Sequence, residues 1–150
     1  MRVSEPIARP TGNWVVSWVA SSRAILERVA RDYAPATFAS SLAAEDMVLT
    51  DMILKAGLPI SIFSLETGRL HKETLGMLDR VREQYGYEIA QYKPDPAAIE
   101  AYVSANGLNA FYDSVEMRKE CCRIRKVEPL NRALEPYLAT KTVSMKMTAA

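Results

Sequence analysis

The chain has 150 residues, 49% hydrophobic and 25% charged, the balance of a globular protein about one domain long. Its 19 basic and 18 acidic residues leave a net charge of +1, which excludes a protein that grips a polyanion by bulk charge but not one that holds a small anion with a few placed donors. Apolar runs fall well short of the roughly 20 residues that cross a bilayer, and Trp14–Ala20 continues into Arg23, Glu27 and Arg28 at helical spacing instead of ending as a signal peptide does. The expectation is a cytoplasmic protein with no membrane and no nucleic acid as partner.

Residues 1–12, with two prolines and a glycine, read as a loose lead-in. Residues 14–33 read as a helix, with Ile25, Val29 and Tyr33 four apart and Pro35 ending it. Thr37–Leu42 is a strand. Ala43–Ala56 is a helix with Leu49, Met52, Ile53 and Ala56 on one face, closed by Gly57 and Pro59. Ile60–Leu65 is apolar nearly throughout, as buried parallel strands are. Leu70, Leu75, Leu78, Val81 and Tyr85 mark a third helix that stops at Gly86, and Tyr87–Tyr92 a third strand. Asp95 caps a helix carrying Pro96, Ile99, Tyr102 and Val103, which stops at Asn106-Gly107. A last helix covers about Met117–Leu134, with Pro129 breaking or bending it. Strands alternating with helices predict right-handed crossovers and a three-layer α/β/α fold with a parallel sheet, incomplete at three strands.

Ligands of such sheets bind beyond the carboxyl ends of the strands. Two segments lie there. In Ser40-Ser41-Leu42-Ala43-Ala44-Glu45-Asp46 a strand enters a helix through small and hydroxyl residues, a setting that favours phosphate or sulfate; serines ahead of a helix also serve simply as caps. In Leu65-Glu66-Thr67-Gly68-Arg69 the glycine permits a tight turn and Arg69 can clamp an oxyanion, although a plain strand-to-helix turn reads the same way. A third segment carries both cysteines, Cys121 and Cys122. Adjacent Cα atoms lie about 3.8 Å apart, too close for ordinary disulfide geometry. Residues 117–132 hold six basic and two acidic side chains, surroundings that favour the metal-ligating thiolate. His71 is the only histidine, which disfavours a mixed Cys/His zinc site.

Taken together, these segments resemble the adenylylsulfate/phosphoadenylylsulfate reductase family of sulfate assimilation. Ser40-Ser41-Leu42-Ala43-Ala44-Glu45-Asp46-Met47-Val48-Leu49 is similar to its phosphosulfate loop, and Ile62-Phe63-Ser64-Leu65-Glu66-Thr67-Gly68-Arg69-Leu70-His71 to its adenosine-side loop. Gly107-Leu108-Asn109-Ala110-Phe111-Tyr112 resembles a family turn, and Glu120-Cys121-Cys122-Arg123-Ile124-Arg125-Lys126-Val127-Glu128-Pro129-Leu130 the first half of its iron–sulfur motif. The resemblance runs over about 36–135 and implies the adenine-nucleotide alpha-hydrolase-like, Rossmann-like fold. It implies adenylylsulfate or AMP as ligand, with Ser40, Ser41, Ala43, Glu45, Asp46, Leu65, Glu66, Thr67, Gly68 and Arg69 as substrate-binding positions. The double cysteine points to the adenylylsulfate-reducing members, which hold a 4Fe–4S cluster, with Cys121 and Cys122 as ligands and thioredoxin as electron donor. In the family reaction a cysteine thiolate attacks the substrate sulfur, forming S-sulfocysteine and releasing AMP, and thioredoxin then frees sulfite.

The chain departs from the family in its cysteine inventory: the later Cys-x-x-Cys, the Trp-x-Thr-Gly-x-Arg-Arg segment and the nucleophilic cysteine have no counterpart in it. Residues 139–150 do not match, so 1–150 reads as the N-terminal part of one reductase domain. Ala43 stands where some members carry glycine, and its methyl group could crowd a phosphate. The expectation is a reductase by family whose 150-residue chain does not itself turn over. The alternatives are an inactive adenine-nucleotide-binding or interaction module, a phosphoadenylylsulfate reductase, and a pyrophosphatase-type enzyme that the double cysteine argues against. An incomplete sheet would also leave an apolar flank and an edge strand open to a second copy.

Overall fold

The structure is a computed structural model that describes residues 14–138; the segments expected to be a lead-in, 1–12, and a tail unlike the family, 139–150, lie outside the described residues. Helix α1 (Trp14–Asp32) is followed by strand β1 (Ala36–Ala39), helix α2 (Ala44–Lys55), strand β2 (Ile60–Leu65), helix α3 (Lys72–Tyr85) and strand β3 (Ala90–Tyr92). Helix α4 (Pro96–Asn106) leads through a 3-10 turn (Ala110–Tyr112) to α5 (Val115–Cys122), a π-helical turn (Arg123–Val127) and α6 (Glu128–Leu138). The sheet is parallel in the order β1-β2-β3, with Phe38 opposite Ile62 and Phe63 opposite Ala90.

The sheet is covered on both faces, as parallel sheets are. Side chains alternate along a strand, so Ile60 and Ile62 of β2 join Ala36 and Phe38 of β1 in one core with Leu26 and Ala30 of α1, Ile53 of α2 and Val81 of α3. Phe63 points the other way and packs with Ala133 and Leu134 of α6, with Leu65 and Tyr92 at the margin. Fully burying side chains such as Ile53, Ile62 and Val81 stabilises by about 1.5–3 kcal/mol each. A third cluster, Tyr102, Ala110, Cys121 and Ile124, binds α4, the 3-10 turn and α5 into a wall beside the sheet.

The three strands and the α/β/α layering agree with the sequence expectation, and the boundaries differ in instructive ways. The first strand stops at Ala39 rather than Leu42, because Leu42 turns to φ 64, which no strand residue adopts. The third begins at Ala90, not Tyr87; the Tyr87 hydroxyl instead accepts the Ile62 N–H at 3.0 Å. The single last helix is three segments. Pro129 has no N–H to give and sits buried in the first turn of α6. The strain is taken up just before it, where the Glu128 N–H reaches back five residues to the Arg123 carbonyl. Among the described residues, exposed large apolar side chains cluster on α1, where Val16 and Trp18 are 70% exposed, and are otherwise scattered, whereas Ala36, Thr37 and Phe38 of edge strand β1 are buried.

Candidate functional site

The loops after β1 and β2 leave the same carboxyl edge from neighbouring strands. The first is closed on itself. The Ser40 N–H donates to the Phe63 carbonyl at 2.8 Å, anchoring the loop to β2, and Ser40 Oγ accepts the Leu42 N–H at 3.1 Å. The Ser41 N–H and Oγ both donate to Asp46 Oδ2, at 2.6 and 2.5 Å. The serines are therefore not caps of α2: its N-cap is Ala43, which makes no side-chain cap bond. Buried Asp46, in the first turn, reaches back past the N-cap to Ser41, and Ser41 Oγ in turn accepts the N-cap Ala43 N–H at 3.3 Å. Ala43 has φ −76, open to any residue, so no glycine is needed there; the left-handed position of this loop is Leu42. Glu45 stays exposed at the start of α2, where unpartnered N–H groups and the helix dipole favour an anion.

The second loop turns on Gly68, at φ 72. Glu66 Oε1 accepts the Gly68 N–H at 2.7 Å, Thr67 Oγ1 accepts the Arg69 N–H at 3.3 Å, and the Glu66 N–H donates to the Tyr92 carbonyl at 3.0 Å. Leu65 ends β2 half-buried, and Thr67 is buried. The Arg69 guanidinium has protein partners: Nη2 donates to the Leu108 carbonyl at 2.5 Å and to Asn109 Oδ1 at 3.4 Å, and the group stands 4.7 Å from the Phe111 ring centroid. His71 is the exposed N-cap of α3.

A cleft of about 310 Å³ joins this second loop to the cysteines. Thr67, Arg69 and Leu70 form one side; Cys121, Cys122, Arg125 and Lys126 form the other, with Phe111 between. Cys121 is buried and Cys122 half-buried, and both are free thiols. The cations of this stretch divide by role. Arg123 makes a two-bond pair with Glu120, which lowers the Glu120 pKa, and Arg132 pairs with Glu128. Among the described residues neither Arg125 nor Lys126 has a carboxylate partner. Arg125 is only 8% exposed, and its Nη1 donates to the Thr67 carbonyl at 2.7 Å. Tyr102, beneath the pair, donates to the Met117 carbonyl at 3.0 Å; burial raises its pKa, with the Cys121 sulfur adding to the rise.

Sequence reasoning did not foresee the strut from Arg125 or the tie from Arg69 to Leu108, Asn109 and Phe111. Half of that signal was readable: Arg125 and Lys126 follow Cys121 and Cys122 by four residues, one helical turn on the same faces. A 4Fe–4S cluster takes four ligands. Cys121 and Cys122 offer two, and among the described residues no group of three or more His, Cys, Asp or Glu side chains gathers. The residues present thus do not by themselves fit a cubane.

Comparison with known proteins bears on the family and the fold. The family model described as the phosphoadenosine phosphosulfate reductase domain matches residues 35–144. Over 111 residues, 74% of this chain and 44% of the relative, the sequence is 65% identical to an adenosine 5'-phosphosulfate reductase of Burkholderia cepacia. It is 54% identical over 110 residues, 73% of this chain and 43% of the relative, to the protein of that name from Allochromatium vinosum. The chain therefore spans less than half the length of these relatives. The crystal structure of a phosphoadenylyl-sulfate reductase from Candida auris, a phosphate complex, superposes with a TM-score of 0.60 at 17% identity, covering 89% of this chain and 66% of that one, a likeness of fold.

Proposed function

The chain belongs to the phosphoadenosine phosphosulfate reductase domain family, and from that premise we propose that it forms the nucleotide-sulfate-binding part of a cytoplasmic adenylylsulfate reductase of sulfate assimilation. The observation that carries this reading is the cleft, where the loop after β2 meets two cysteines more than fifty residues along the chain. Adenylylsulfate or AMP would lie across the carboxyl edge of the sheet. Its anionic end would meet Ser40, Ser41 and the start of α2, near Ala43, Glu45 and Asp46; its adenosine would meet Leu65, Glu66, Thr67 and Gly68.

Cys121 and Cys122 serve in this reading as two ligand positions of a 4Fe–4S cluster whose shell this chain does not complete. Thioredoxin would be the electron donor of the whole enzyme. The chain by itself binds without turning over, because its two cysteines are both assigned to ligation and none is left to attack sulfur. Isothermal titration should detect both AMP and adenylylsulfate, with Ser40→Ala weakening adenylylsulfate by about tenfold, the size of one hydrogen bond to a charged group. Absence of binding by either ligand at millimolar concentration would overturn the nucleotide reading. Thioredoxin-dependent sulfite release by this chain would overturn the assignment of the two thiols.

A further inference from the structure

One exposed arginine holds together two of the three segments that meet at the cleft. Arg69 leaves the loop after β2, and its Nη2 donates to the Leu108 carbonyl and to Asn109 Oδ1. Its guanidinium lies against the ring of Phe111 at 4.7 Å. Phe111 packs on the cluster that contains Cys121 and lines the same cleft. The turn it belongs to is anchored by buried Ala110 alone at its centre, while its flanks stand in solvent, Leu108 59% and Tyr112 75% exposed. Its other polar tie from a side chain is a longer bond, from Arg118 Nε to the Phe111 carbonyl at 3.5 Å.

A guanidinium committed to a carbonyl, an amide oxygen and a ring face no longer presents the open fork that grips an oxyanion. Deepening the nucleotide-site reading above, on which it rests, we propose that Arg69 is a positioning residue rather than an anion ligand: it fastens the Gly107–Tyr112 turn and so keeps Phe111 packed over Cys121. Lysine cannot replace it, because a point charge on a flexible stem serves either the carbonyl or the ring, not both planes at once. Cys121 belongs to the cluster on which Phe111 packs and owes part of its burial to this tie, whereas half-buried Cys122 lies outside that cluster.

The test is alkylation of the purified chain by iodoacetamide at a single pH, with Cys121 and Cys122 resolved by peptide mass spectrometry. In the wild type Cys122 should react ahead of Cys121. Arg69→Ala should raise the Cys121 rate relative to Cys122 by about tenfold, since local opening follows the loss of a few weak ties. Arg69→Lys should recover less than half of the protection, and adding Phe111→Leu to Arg69→Ala should change little more. Val81→Ala, in the core between α3 and the sheet, lowers global stability without touching the turn and should leave the ratio unchanged. Removing a positive charge beside a thiol does not by itself speed its alkylation, so a rise reports access. An unchanged ratio in Arg69→Ala, or an equal rise in Val81→Ala, overturns the proposal. So does loss of AMP affinity in Arg69→Ala with the ratio unchanged, which would return Arg69 to the role of anion ligand. If the wild type fails to bind AMP the nucleotide reading falls, and the labelling ratio still decides the tie.

Discussion

Replacing Gly68 by alanine should damage both the backbone and the strut behind it. Gly68 has φ 72, and a Cβ built there would stand 3.1 Å from Arg125 Nη1, the atom that donates to the Thr67 carbonyl. Holding an alanine in the left-handed region costs roughly 1–2 kcal/mol. The buried guanidinium must also shift by a few tenths of an ångström, weakening a charge-assisted bond of the class that contributes about 1.5–3 kcal/mol. A partial loss of the second added to the first gives an expected destabilisation of about 2–3 kcal/mol, read from urea unfolding followed by circular dichroism. The two contributions can be separated. In an Arg125→Ala background the steric part vanishes, so Gly68→Ala should cost only the backbone part, about 1–2 kcal/mol. A Gly68→Ala chain within about 0.5 kcal/mol of wild type would refute the reasoning. An equal cost in both backgrounds would refute the part assigned to Arg125.

Asp46→Ala should destabilise by about 1 kcal/mol in the same unfolding assay, because it removes the carboxylate oxygen shared by the N–H and hydroxyl of Ser41, whose exposure lets water replace part of the loss. The Asp51 carboxyl, held below its ordinary pKa by Lys55 first and by the Tyr85 hydroxyl second, stabilises the fold above its unfolded pKa and ceases to as pH falls through the lowered value. Thermal melts of wild type should therefore lose stability below about pH 4, and Asp51→Asn should flatten that limb. The Tyr85 pKa is raised, chiefly by its bond to Asp51, so its contribution is complete below its unfolded pKa and is lost on the alkaline side; Tyr85→Phe should flatten the alkaline limb. Ser114 caps α5 by accepting the Met117 N–H at 3.1 Å, and Ser114→Ala should cost about 1 kcal/mol by urea titration.

What is local was legible. Asp95 caps α4 as its sequence says, with its carboxylate accepting the Ala97 N–H at 3.1 Å, and Gly86 ends α3 in the left-handed conformation that a helix terminus wants. Ile60–Leu65 reads as a buried strand and is one, because a doubly covered strand needs apolar side chains on both faces. The motifs around Ser40 and Gly68 stand at strand ends as expected, whereas Cys121, expected inside one long helix, lies at the end of α5. Where local preferences conflict the reading failed. Pro129 forbids one hydrogen bond, but whether the chain breaks, bends or widens into a π turn depends on what packs around it, here the buried face of α6 against the sheet. The sequence by itself thus determined the alternation of elements, the parallel sheet and the residues of both loops, because these follow from periodicity and from backbone preferences of single residues. Only the tertiary structure decided which loop meets the cysteines and what each arginine does there. Arg69 and Arg125 each reach partners tens of residues away, and no period of 2 or 3.6 encodes a contact between elements brought together by packing.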